Sequence, residues 1–155
     1  GYNTLGVILK NAGIDCNEIE VKSNEVFFLR DNQLIFPVVT KDRLVKKADG
    51  WALDIYVFSP RPLDDLLIEP NMPKLTLVVK AKECQLAIND KAYTAASQNR
   101  HEATYKELPL LQGWNKISIK IGERDKNEFS GNFRCDNRNE FLSSLKVMFI
   151  NPEAK

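Results

Sequence analysis

The only histidine in the chain, His101, sits in the polar run Gln98-Asn99-Arg100-His101, and Tyr93 and Tyr105 bracket that run. These residue types in this order match the chemistry of sugar recognition. Aromatic planes stack on the C–H faces of sugar rings, while Asn, Arg and His side chains take the hydroxyls. Tyr93, Asn99, Arg100, His101 and Tyr105 therefore form the expected ligand-binding set, with a glycan as ligand. A plainer reading stands beside it, in which both tyrosines pack at a sheet edge with a wet hydroxyl.

Catalytic chemistry finds less support. No Gly-x-Ser-x-Gly elbow is present, so a Ser-His-Asp triad on His101 has no serine in the strained turn it needs. The carboxylates cluster as Asp64, Asp65 and Glu69 in a proline-rich stretch, and as Glu123, Asp125 and Glu128 around a turn. Glycoside hydrolysis needs two carboxylates about 5 to 9.5 Å apart across a cleft, one held protonated by an apolar setting. Adjacent acids in solvated turns meet neither condition, and the expectation is a protein that is not an enzyme. A structural calcium ion is the one cofactor considered, with oxygen ligands from 125–128 or 136–140, though neither run has EF-hand spacing. Lys41, Arg43, Lys46 and Lys47 make a basic connector without interleaved aromatics, which reads as a solvated segment.

Composition narrows the partners. A net charge of +1 over 155 residues gives no reason to expect nucleic acid or an anionic membrane. No apolar run approaches the roughly 20 residues that span a bilayer. Cys16, Cys84 and Cys135 are far apart and lack CxxC spacing; they leave open one disulfide plus a thiol. Cys84 alternates with Leu86 and Ile88 and reads as a buried thiol. No secretion signal is visible, and an opening on Gly1 reads as a fragment with a tag scar, silent about its destination.

Around these residues the apolar pattern is almost entirely of period two. The exception is Asn3–Gly13, where Leu5, Ile8, Leu9 and Ala12 share a helical face, with a strand as the alternative. From Glu25, two apolar runs flank Asp31-Asn32, a turn that tolerates positive φ. Trp51–Phe58 is apolar on both faces and should lie centrally in a sheet, ended by Pro60 and Pro62. Leu75–Val79 and Cys84–Ile88 follow, then a turn at Asn89-Asp90-Lys91 and a polar loop to Ala103. Ala103–Leu108 reads as an edge strand stopped by Pro109. Leu110–Arg124 places Asn115, Ile117, Ile119 and Ile121 on one face. Phe129, Phe133 and Cys135 recur at period two, and Ser143–Asn151 makes the last strand. About eight short strands with little helix predict one all-β domain over 1–155, a β-sandwich or barrel, with 1–24 a helical segment or linker.

Three pieces in order, Asp49–Pro60, Leu75–Lys91 and Leu110–Asn137, resemble the galactose-binding-domain-like jelly-roll modules beside catalytic domains in secreted bacterial polysaccharide-degrading enzymes. The resemblance rests most on Leu110-Leu111-Gln112-Gly113-Trp114-Asn115, with Ser59-Pro60, Phe133-Arg134 and an Asn-Asp-Lys turn where the family has Asn-Gly-Lys. It implies a jelly-roll sandwich and a non-catalytic carbohydrate-binding or accessory role. It further implies the parent's own catalytic domain as partner, and an extracellular, periplasmic or cell-surface location. A bracing role would bury an apolar patch around Phe27 and Phe36. Trp114 reads as a structural cap of the sandwich, with an aromatic platform for ligand as the alternative.

Overall fold

The computed structural model describes residues 28–36, 38–40, 44–60, 75–123, 125, 128–135 and 139–150. The expected N-terminal helix, Cys16, Phe27 and the Asp64–Glu69 carboxylates lie outside these residues, as does most of the 136–140 run.

Alternating runs bounded by turn residues become fourteen strands among the described residues. They are β1 (Phe28–Arg30), β2 (Gln33–Ile35), β3 (Val39–Thr40), β4 (Val45–Lys47), β5 (Gly50–Ser59), β6 (Leu75–Val79) and β7 (Cys84–Ile88). After them come β8 (Lys91–Tyr93), β9 (Ser97–Gln98), β10 (Ala103–Leu108), β11 (Gly113–Gly122), β12 (Glu128–Phe129), β13 (Gly131–Arg134) and β14 (Lys146–Ile150). A short helix, α1 (Asn139–Ser144), precedes the last strand. All pairings are antiparallel. One sheet runs β1-β2-β13-β6-β10-β9; the other runs β14-β5-β11-β7-β8, with β4 also on β5. Strands β3 and β12 form a small third ribbon.

The two large sheets share one core, so the fold is an all-β sandwich. The first sheet contributes Leu34, Leu75, Leu77, Val79, Tyr105 and Phe133. Facing them are Leu53, Ile55, Val57, Leu86, Ile88, Ile117, Ile119 and Ile121. Each set recurs at period two because successive strand side chains point to opposite faces. The expected central place of β5 holds: β11 pairs along its whole length, and β14 and β4 divide its other edge.

Several expectations change. Val45–Lys47, read as connector, is a strand, because β5 offers it an edge. The loop after Tyr93 contains β9, which pairs with Ala103 and Thr104, so β10 is an edge only beyond that point. A bulge there sets Glu107 at φ 56° and shifts the register against β6. The last strand starts at Lys146, after a helix whose Phe141 and Leu142 are buried. Phe36 is a core residue, packed edge-on against Phe133 at 5.0 Å, so it offers no bracing patch.

Register separates the two ends of the sandwich. The hairpin turns at Asp31-Asn32 and Asn89-Asp90 and the entry to β11 lie at one end, here the turn end. Both turns place two residues at positive φ, the type I′ geometry that Asn and Asp tolerate. At the other end lie the finish of β6, the start of β7, the finish of β11 and the hairpin between β9 and β10.

Candidate functional site

The turn end is built around Asn115. Its side chain is fully buried on the core face of β11, among isoleucines. Such an amide must find partners, since burying it unpaired costs about 1–3 kcal/mol. Its Oδ1 accepts from the Leu111 N–H at 2.8 Å and from Asn89 Nδ2 at 2.9 Å. Its Nδ2 donates to the carbonyls of Leu111 (2.9 Å), Gly113 (3.2 Å) and Val57 (3.3 Å). Asn89 completes the joint: its Oδ1 accepts from the Lys116 N–H at 2.9 Å and its own N–H donates to Lys116 O at 2.8 Å. Gly113 enters the turn at φ 96°, where a side chain is strained. The motif Leu-Leu-Gln-Gly-Trp-Asn and the Asn-Asp-Lys turn are thus two halves of one hydrogen-bonded unit. Asp90, which stands where the resembled family has Gly, takes φ 68° and pairs with Lys116 Nζ at 2.9 Å.

Trp114 points away from this network. It is half-buried on the outward face of β11 and meets Phe58 edge-to-face at 5.5 Å. Beside them on the same face of β5, Tyr56 is fully buried and its hydroxyl has no hydrogen-bond partner. Burial first, then Asp54 and Asp90, holds that phenol above its ordinary range.

The opposite end carries a cleft of about 460 Å³ lined by Lys80, Lys82, Arg100, His101, Asp125, Glu128, Ala81 and Ser130. Its floor is the tight turn from β6 to β7, which crosses between the sheets. Lys80 N–H donates to Ser130 O at 2.9 Å and Ala81 N–H to Val79 O at 3.0 Å. One wall is the hairpin 99–102. Asn99 Oδ1 accepts from the N–H groups of His101 (2.7 Å) and Glu102 (2.9 Å), closing it as an Asx turn. Gln98 Nε2 straps that hairpin to the floor by donating to the carbonyls of Asn99 (2.7 Å), Glu102 (3.1 Å) and Ala81 (3.3 Å). The other wall is Asp125, whose carboxylate accepts from the N–H groups of Lys82 (2.5 Å), Glu83 (3.1 Å) and Gly122 (2.9 Å). Lys80 pairs with Glu102, and that hydrogen bond holds the Glu102 carboxyl below its ordinary range.

The five nominated residues part company here. Arg100 and His101 are exposed on the cleft wall. Asn99 shapes the hairpin, its Oδ1 already engaged. Tyr105 is a correction: it is 2% exposed in the core, where its hydroxyl donates to Cys84 O at 3.3 Å, so its ring offers no stacking plane. Tyr93 packs half-buried against the core at the end of β8, with Lys91 Nζ 5.5 Å from its ring centroid. Lys80, Lys82 and Ser130 were missed, because Lys-Ala-Lys in a strand-to-turn segment gives no sign of which loop it will face.

Cys84 and Cys135 carry thiols with no disulfide between them. Cys84 is half-buried, less than its alternation implied, and burial pushes its thiol up to about 11. Among the described residues no cluster of three His, Cys, Asp or Glu could hold a metal ion. No helix among them is long and apolar enough to cross a membrane. Comparisons with family models, with curated proteins and with solved structures find no match to this chain.

Proposed function

We propose that this chain is a non-catalytic accessory module of a secreted or cell-surface carbohydrate-processing protein, and that it binds glycan through the end opposite the Asn115 network. The observation that carries this reading is the cleft in which Arg100 and His101 meet Lys80, Lys82, Glu128 and Ser130. The coupling of Asn115 to Asn89 supports the resemblance to galactose-binding-domain-like jelly rolls, since it gives both motif turns one structural role. Among the described residues the lining holds no Phe, Tyr or Trp, so recognition through them runs on hydrogen bonds and charge more than on stacking.

A panel of plant and bacterial polysaccharides, assayed by affinity electrophoresis and calorimetry, tests this. Binding to at least one, weakened by about tenfold or more in Arg100→Ala/His101→Ala, is the expected result. A folded protein that retains none of the panel overturns the reading.

An assembly role is the second reading, favoured by Leu111, a large apolar side chain 50% exposed just before β11. A stable complex with the parent's catalytic domain, lost in Leu111→Asp, together with silence on the glycan panel, selects that reading.

A further inference from the structure

Arg100 and His101 ride on the hairpin 99–102, whose hold on the rest of the fold is slight. Strand β9 has two residues and, among the described residues, pairs only with Ala103 and Thr104 of β10. Lys80 and Lys82 line the same cleft from another segment, the turn that leaves the first sheet for the second. Two side-chain ties join these segments. One is the Lys80–Glu102 ion pair, whose side chains are 47% and 30% exposed, so salt screens it and water competes for it. The other is Gln98. Its Nε2 donates to Ala81 O at 3.3 Å on one side, and to Asn99 O (2.7 Å) and Glu102 O (3.1 Å) on the other. Ala81 packs in the core and its N–H bonds to Val79 O, so its carbonyl is a fixed anchor.

We infer that Gln98 is the positioning residue of the glycan site: it fixes where Arg100 and His101 stand relative to Lys82, and sets affinity without touching the sugar. The inference rests on the glycan-binding reading and concerns how that site is held. Two N–H groups shared among three carbonyls leave the Gln98 amide no donor for a ligand, and Gln98 does not line the cleft. It acts only through the residues it holds. A neutral amide also keeps its tie at salt concentrations that screen the ion pair. Without it, the hairpin visits arrangements in which the cleft residues no longer converge. A ligand then binds only the fraction of molecules that are correctly arranged, and its apparent affinity falls by that fraction. With the tie in place, the ordering is done before the ligand arrives.

The test is a double-mutant cycle read by affinity electrophoresis, with the panel polysaccharide that retards the wild type most as probe. Gln98→Met keeps the length of the side chain and removes its donors; Gln98→Ala serves as a second variant. Each should weaken binding by about fivefold in the otherwise wild-type chain. In the Arg100→Ala/His101→Ala background the same change should cost less than about twofold, because the groups it positions are gone. Amide hydrogen exchange at Asn99, His101 and Glu102 should quicken in both variants, with Ile117 and Ile119 unchanged. Their unfolding temperatures should stay within about 2 °C of wild type, as expected for an exposed side chain at a sheet edge. Unchanged affinity in the wild-type background, or unchanged exchange in the hairpin, overturns the inference and leaves glycan binding intact. Equal losses in both backgrounds overturn it too, since Gln98 would then act independently of Arg100 and His101. A fall of more than about 5 °C makes the residue merely structural and also ends it. Silence of the wild type on every glycan ends the broader reading, and this inference with it.

Discussion

Asn115 and Asp125 bracket β11, one at its entry and the other just past its finish; Asp125 spends its oxygens on the backbone, and Asn115 on the backbone and the Asn89 side chain. What surrounds them differs. Around Asn115 the partners are buried carbonyls and N–H groups, and the neighbours are Ile117, Val57 and the Phe58–Trp114 pair on the far face. Asp125 instead lines a cleft together with the exposed side chains of Lys82, Arg100 and His101. One end of the sandwich uses polarity to close a core. The other uses it to shape a cleft whose outer groups stay unspent. A polar residue is evidence of ligand contact only when the fold has not already consumed its hydrogen bonds.

That contrast predicts a gradient of stability effects from one end to the other. The largest belongs to Asn115→Ala, which strands the Leu111 N–H and carbonyl and the Asn89 amide together. A loss of about 3 kcal/mol or more is expected, read as a fall of about 6–12 °C in the unfolding midpoint for a domain of this size. A fall under about 2 °C would mean water replaces the amide, and the turn end would not be the closed structure drawn here. Trp114→Ala comes next, at about 2 kcal/mol, because its ring is only half-buried and its partner Phe58 keeps other neighbours. If this variant keeps full stability and loses only glycan affinity, the aromatic is a ligand platform and the assignment of the two ends is reversed. The smallest effect has the opposite sign. Tyr56→Phe removes a buried hydroxyl without a partner, so it should leave stability unchanged or raise it by up to about 1 kcal/mol in a urea titration. A clear destabilisation would show that the hydroxyl is bonded in solution.

Local chemistry carried much of this fold. The Asp31-Asn32 and Asn89-Asp90 turns were legible because few residue types tolerate positive φ twice in succession. Ile117, Ile119 and Ile121 were legible because a strand buried on one face must alternate. Glu107 and β9 were not: a bulge and a two-residue strand depend on the neighbour that pairs with them, and their own residues are indifferent. Tyr105 is a different case, since its own strand pattern carried the answer. Its position between polar residues suggested an exposed edge, yet its alternation with Ala103 puts it on the core face of β10. Alternation should have outranked local polarity there.

Composition and period two together determined the all-β class, the main strands, the hairpin turns and the core face of β11, since these follow from steric and hydrophobic rules acting within a few residues. The hairpin holding Arg100 and His101 was also visible as a polar break in the pattern. Which residues meet across the molecule was decided only by tertiary structure. Lys80 and Lys82 face Arg100 because the β6–β7 turn crosses from one sheet to the other beside β10, and Asn115 reaches Asn89 because β11 pairs with β7 in one particular register. Sequence separation hides such meetings, since nothing local distinguishes a lysine that lines a cleft from one that faces open water.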